Sequence, residues 1–178
     1  MELVDLFDNK RKFINKVVER YHYTPEYYSQ VLHLWIMNSK GEFLIQKRSM
    51  KKKINPGIWS ITGGGADSGE TTLDAVYREC KEELGIDIKP DELQLIMSIK
   101  RPYVFMDIYL AKIDIAIEDI VMEESEVDEV KWATEDEIKK MIAAKEMGSS
   151  ITLYHDLFFN LVSELGTNPD YRKPLWSF

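Results

Sequence analysis

One stretch constrains this chain more than any other: residues 64–86, GGADSGETTLDAVYRECKEELGI. A glycine-rich approach leads into a segment, 71–84, whose apolar residues recur with helical spacing. Leu73, Val76, Tyr77, Cys80 and Leu84 fall on one predicted stripe. Glu79, Glu82 and Glu83 stand at i, i+3 and i+4, and the spacing predicts that they share the other side. Gly69, Glu70 and the Thr71-Thr72 pair give a start signal, and Gly85 is a natural left-handed stop. Carboxylates crowded on one turn repel each other and weaken a helix. A hard divalent cation with oxygen ligands relieves that repulsion, and Mg²⁺ is the expected cofactor with Mn²⁺ as its substitute.

A solvated acidic helix face is the plain alternative. Against it stands a conjunction of Gly64, Glu70, Arg78, Glu79, Glu82, Glu83 and Gly85. At ordinary residue frequencies this recurs by chance on the order of 10⁻⁹ per starting position. The pattern resembles the Nudix box, and every fixed position matches; Cys80 stands where the family usually has Ile, Leu or Val. The resemblance implies an α/β/α sandwich with a mixed sheet. It also implies a metal-dependent hydrolase that cleaves a diphosphate linkage in a small nucleoside-diphosphate-type or related substrate. By position, Glu79, Glu82 and Glu83 resemble the metal-binding and water-activating carboxylates. The resemblance also implies a further ligand in a backbone carbonyl near Gly63 or Gly64, an orienting role for Arg78 and a mainly structural one for Glu70. A carboxylate from outside the box is expected at Glu126, with Glu124 as second choice.

The flanks narrow the subgroup. The strand VLHLWIM, an NSKG turn, EFLIQKR, a lysine run, PGIW and TGGG resemble hydrolases related to isopentenyl diphosphate isomerase. In the isomerases themselves, a catalytic Cys and a metal-binding His precede the box. Here those places hold Gly63 and Gly65, and Ser29 stands where another metal His is expected. An isomerase is therefore the runner-up, and a non-catalytic ligand-binding module of the same fold is the third reading.

Composition bears on partners. At 178 residues, one domain spanning 1–178 is expected, and a single Cys fits a reducing, cytoplasmic setting. No apolar run approaches the roughly 20 residues of a membrane span. A net charge of −8 argues against nucleic-acid binding. A small-molecule diphosphate remains admissible where local cations meet it, and Arg48, Lys53 and Arg101 are the expected contacts.

Along the chain, residues 3–21 read as a β-hairpin turning at Asp8, Asn9 and Lys10. Strands are expected at 31–37, 42–48, 58–62, 93–101, 104–113 and 130–132. Helices are expected at 136–147 and 151–165, the second with Leu157, Phe158, Leu161, Val162 and Leu165 inward. Pattern alone gives a mixed α/β class. His33 reads as a packed or hydrogen-bonded core residue, and Trp59 and Phe105 as core aromatics. Tyr171, Leu175, Trp176 and Phe178 in the tail raise the expectation of a homodimer.

Overall fold

The computed structural model describes residues 2–22 and 25–167. The aromatic tail residues, and the homodimer expected from them, lie outside that range. Among the described residues no helix is long and apolar enough to cross a membrane.

β1 (Leu3–Phe7) and β2 (Phe13–Glu19) form the expected hairpin. Its turn is held by Asp8, whose Oδ1 accepts the backbone N–H of both Lys10 and Lys12 at 2.9 Å. The other strands make one seven-stranded mixed sheet. Its spine is β3 (Ser29–Met37). The remaining members are β4 (Phe43–Arg48), β5 (Trp59–Ser60), β6 (Thr62–Gly65), β7 (Leu93–Arg101), β8 (Val104–Lys112) and β9 (Val127–Ala133).

β3 runs parallel to β8 along its whole length, from Ser29↔Val104 to Met37↔Lys112. On its other edge the sheet forks. β3 pairs with β4 only at Ile36↔Leu44 and Met37↔Phe43, and then the two diverge. The wedge is filled by one segment that changes allegiance: β5 pairs with β4, and after Ile61, β6 pairs with β3 over Val31 to Leu34. The single strand expected at 58–62 is thus two short strands split at a buried Ile61. β9 is longer than expected because it pairs along nearly all of β4.

Alternation along β3 sends Leu32, Leu34 and Ile36 to one face, where α1 (Thr72–Leu84) lies with Val76, Cys80 and Leu84. Trp35 points to the other face, against α2 (Glu135–Ala143) and α3 (His155–Thr167). There it stacks on Phe158 at 4.7 Å between ring centres and meets Phe43 edge-on. Helices on both faces give the expected α/β/α sandwich.

Three expectations are corrected. In α1, Leu73 is exposed, and Thr72 and Ala75 are buried in its place. The first turn faces a buried polar group, so apolar periodicity misplaces the stripe by a residue. The helix expected at 136–147 stops at Ala143, and Lys145 turns left-handed. In α3, a 3₁₀ turn at Ile151–Leu153 resets the phase, so Leu157 is exposed and Phe159 takes the inward place.

That buried polar group is Asp107 on β8. It accepts the hydroxyls of Thr72 at 2.6 Å and Ser98 at 2.5 Å, and both Nη atoms of Arg11. Burial pushes its carboxyl up, but these donors together hold it below the ordinary carboxylate value. One side chain therefore ties the hairpin turn, the sheet and the start of α1. Arg11→Met is expected to lower stability by roughly 2–3 kcal/mol, less than a fully buried pair because Arg11 is partly exposed. Urea unfolding followed by tryptophan fluorescence checks this.

Candidate functional site

α1 starts at Thr71, whose hydroxyl accepts the Asp74 N–H while the Asp74 carboxylate accepts the Thr71 N–H. It stops at Gly85 with φ of 68°. Between these caps Glu79, Glu82 and Glu83 share one side of the helix, as the spacing predicts, and all three border one cleft, at graded depth. Glu83 lies against the sheet at 4% exposure, while the side chains of Glu79 and Glu82 are 12% and 60% exposed. A cleft of about 520 Å³ opens beside them, lined also by the glycines of β6 and by residues of β3 and β4.

Arg78 organises the mouth of this cleft. Its Nε and Nη2 grip Glu70 at 2.8 and 2.9 Å, and Nη1 donates to Glu79 at 3.0 Å and Glu82 at 3.1 Å. Nη2 also donates to the Gly65 carbonyl at 3.1 Å. The Arg78 fork holds Glu70 below the ordinary carboxylate range.

The glycine run is a steric requirement. A Cβ on Gly64 would fall 2.1 Å from Oε1 of Glu79, so the carboxylate lies where any other side chain would begin. A Cβ on Gly63 would meet the Leu32 carbonyl oxygen at 2.8 Å.

Glu83 accepts a hydrogen bond from Gln46 Nε2 at 2.8 Å. Burial, together with the nearby Glu79 and Glu126 charges, pushes its carboxyl up to about 8. Burial also raises Glu79, with Arg78 opposing. Gln46 Oε1 is buried with no hydrogen-bond partner. These observations suit a hard cation. The donors are carboxylate oxygens, an orphaned amide oxygen lies beside them, and Glu83, once ionised, is a buried charge that a cation would compensate. Among the described residues no three metal-type side chains converge on one point as they stand. Arg78 engages Oε1 of Glu79 and Oε2 of Glu82, which leaves each carboxylate a second oxygen for a cation.

Of the carboxylates expected outside the box, Glu126 lines the cleft and receives Lys52 Nζ at 2.6 Å. Glu124 is exposed, with Lys51 at 4.0 Å. Arg48 lines the cleft, its Nε donating to the Ile54 carbonyl at 2.8 Å. Lys53 is exposed and stands outside the lining, where its neighbour Lys52 takes the place. Arg101 ends β7 on the face shared with Ile99, also outside the lining.

Four further residues border the cleft, and the sequence marks none of them individually as a site residue. Arg20, at the end of the hairpin, donates to the Gly65 carbonyl at 3.1 Å and to Asp67 at 2.9 Å. Gln46 carries no charge or motif to mark it, and Lys52 reads only as one member of a lysine run. His33, expected to be a hydrogen-bonded core residue, is hydrogen-bonded but also lines the cleft. Burial first, and the Arg101 charge second, push its imidazole down to about 4.

Comparison with known proteins matches a Nudix domain over residues 27–154. An uncharacterised Nudix hydrolase of Listeria innocua is 31% identical over 167 residues, covering 93% of this chain and 95% of that protein. The isopentenyl-diphosphate Delta-isomerase of Shigella flexneri is 42% identical, but only over 67 residues, 35% of this chain and 37% of that protein. A solved structure from Deinococcus radiodurans superposes with a TM-score of 0.74 at 24% identity, over 87% of this chain and 98% of that one. At that identity the likeness is one of fold.

Glu83 carries a proton in the folded, metal-free protein to higher pH than its ordinary value of 4.5. Its stabilising contribution is therefore present in full below about 4.5 and is lost as pH rises towards 8. Glu83→Gln is expected to raise the melting temperature of the metal-free protein at pH 8 and to flatten its decline between pH 5 and 8. Thermal melts in EDTA across this range check it.

Proposed function

The chain belongs to the Nudix hydrolase family, and from that premise we propose that it is a metal-dependent hydrolase. Its reaction is cleavage of a diphosphate linkage in a small nucleoside-diphosphate-type or related molecule. The observation that carries this reading is Glu83: a buried carboxylate with Glu79 and Glu126 nearby, open to a cleft that also holds Arg48 and Lys52. Such a charge is costly to bury unless something positive meets it.

Glu79, Glu82, Glu83 and Glu126, with the Gly64 carbonyl, would hold Mg²⁺ or Mn²⁺. The bound cation supplies charge neutralisation for the diphosphate and a lower pKa for a bound water. Arg48 and Lys52 hold the phosphate that is not attacked, a fork and a point charge respectively. Arg78 positions Glu79 by its Nη1 and keeps β6 against the helix through the Gly65 carbonyl. A carboxylate oxygen of Glu79, or of Glu126, takes the proton of the attacking water. The hairpin and the C-terminal helices, packed on the same sheet, complete one domain, and a single buried Cys suits the cytoplasm.

The isomerase reading is disfavoured on chemical grounds. No thiol stands at Gly63, and a side chain at Gly65 would begin 3.1 Å from the Arg20 guanidinium carbon. A non-catalytic module has no need of the full set of box glutamates.

Release of phosphate or mononucleotide from a panel of diphosphates, with and without Mg²⁺, tests the proposal. Activity is expected to vanish in EDTA. Glu83→Gln is expected to lower kcat by about 10²–10³-fold while the protein stays folded. Near-wild-type turnover of that variant at saturating Mg²⁺ contradicts the assignment. Solvent deuterium uptake into a prenyl diphosphate without phosphate release supports the isomerase instead.

A further inference from the structure

The cleft continues past the glycine strand to the opposite face of the sheet, where His33, Ser60, Gly148 and Ser150 line it beside Val31 and Met106. Nothing in the hydrolytic step uses this lobe. Its most ordered member is His33, and a chain of hydrogen bonds sets which of its nitrogens bears hydrogen.

The chain starts at Trp35, which is fully buried and can only donate. Its indole N–H donates to the Tyr154 oxygen at 3.2 Å. The hydroxyl hydrogen of Tyr154 therefore needs another acceptor, and His33 Nδ1 lies 2.6 Å away. A hydrogen on Nδ1 would leave that buried hydroxyl hydrogen without an acceptor among the described residues, at a cost of about 1–3 kcal/mol. The hydrogen of the neutral ring accordingly sits on Nε2, on the cleft side, where the nearest polar side chain is Ser150 with its Oγ 3.5 Å away. That separation is at the limit of a hydrogen bond, so the Nε2–H has capacity for a better acceptor. The ring is also held in place sterically. Gly63 leaves it room, since a Cβ there would fall 3.1 Å from His33 Cδ2.

We propose that His33 determines specificity: its Nε2–H, with the Ser150 hydroxyl, receives an oxygen of the organic group attached to the diphosphate. The lobe then selects a nucleoside or sugar, which carries hydroxyl or carbonyl oxygens, over a prenyl chain, which has none. A hydrocarbon in this lobe would bury the N–H and the two serine hydroxyls without partners, and sites built for hydrogen bonding reject such analogues strongly. His33 acts here by binding alone and transfers no proton. The inference rests on the hydrolase reading for its diphosphate, but it is testable apart from catalysis.

Isothermal titration without metal, using AMP and geranyl monophosphate, measures the lobe directly. Wild type is expected to bind AMP more tightly. His33→Phe is expected to weaken AMP binding about tenfold, the scale of one lost hydrogen bond, and to leave geranyl monophosphate unchanged or improved. His33→Gln, whose amide can donate from a similar reach, is expected to recover most of the AMP affinity; a merely structural role would not be rescued in this way. Steady-state kinetics with ADP, UDP-glucose and geranyl diphosphate then separate the sources of the oxygen. A larger KM in His33→Phe for ADP and UDP-glucose alike points to an oxygen on the nucleoside, and a rise for UDP-glucose alone points to one on the sugar; either supports the proposal. Unchanged AMP affinity in His33→Phe together with an unchanged KM for UDP-glucose overturns it, as does equal binding of AMP and geranyl monophosphate by wild type. Selective AMP binding by a protein that hydrolyses none of the diphosphates leaves this inference standing and removes the hydrolase reading instead.

Discussion

The site depends on the way one guanidinium is divided. Arg78 spends its donors on Glu70, Glu79, Glu82 and the Gly65 carbonyl, so a single side chain fastens the helix to the glycine strand and to the loop between them. Lysine could not substitute, because a point charge cannot meet a bidentate carboxylate and still reach in two other directions. The arrangement also keeps Glu79 and Glu82 apart from Glu83. Two acids rest on a cation of the protein, and the third, buried on Gln46, does not. The charge imbalance that invites a divalent ion is thus concentrated at one carboxylate.

The forked sheet explains why these groups meet in a cavity at all. Had β3 and β4 stayed paired along their length, Gln46 and His33 would have been ordinary strand residues facing two packed layers. Because the strands part after Met37 and Phe43, the segment from Trp59 to Gly65 has to cross between them. The crossing strand is thin because it is nearly all glycine at its far end. Carboxylates from one layer and His33 from the other therefore border the same space.

Much of this was legible in the chain. The spacing of Gly64, Glu70, Arg78, Glu79, Glu82 and Glu83 identified the family and the helix, and the hairpin, the long strands and the two-sided packing followed from local patterns. What escaped depended on neighbours far along the chain. Glu83 turns inward because Gln46 waits there, 37 positions earlier, and helical spacing alone cannot distinguish it from Glu82. Lys52 replaces Lys53 because Glu126 is on its side of the loop. Leu73 and Leu157 read as core by period, but a buried Asp107 and a 3₁₀ turn shift the phase of their helices. Arg20 belongs to no motif; its role exists only because the hairpin folds back on the glycine run.

The meeting of Arg20 with Gly65 has an evolutionary corollary. The space that a side chain at 65 would need is taken by a cation from a different part of the chain. A new side chain at that glycine would require the Arg20 guanidinium to shift by a few tenths of an ångström, and without Arg20 the Gly65 carbonyl would keep Arg78 as its side-chain donor. The two positions are therefore coupled: what a side chain at 65 costs depends on whether Arg20 can give way, and the change at one site alters the effect of a change at the other. A route to a side chain at 65 thus runs through the hairpin end as well as through the glycine strand, two segments distant in sequence and adjacent in space.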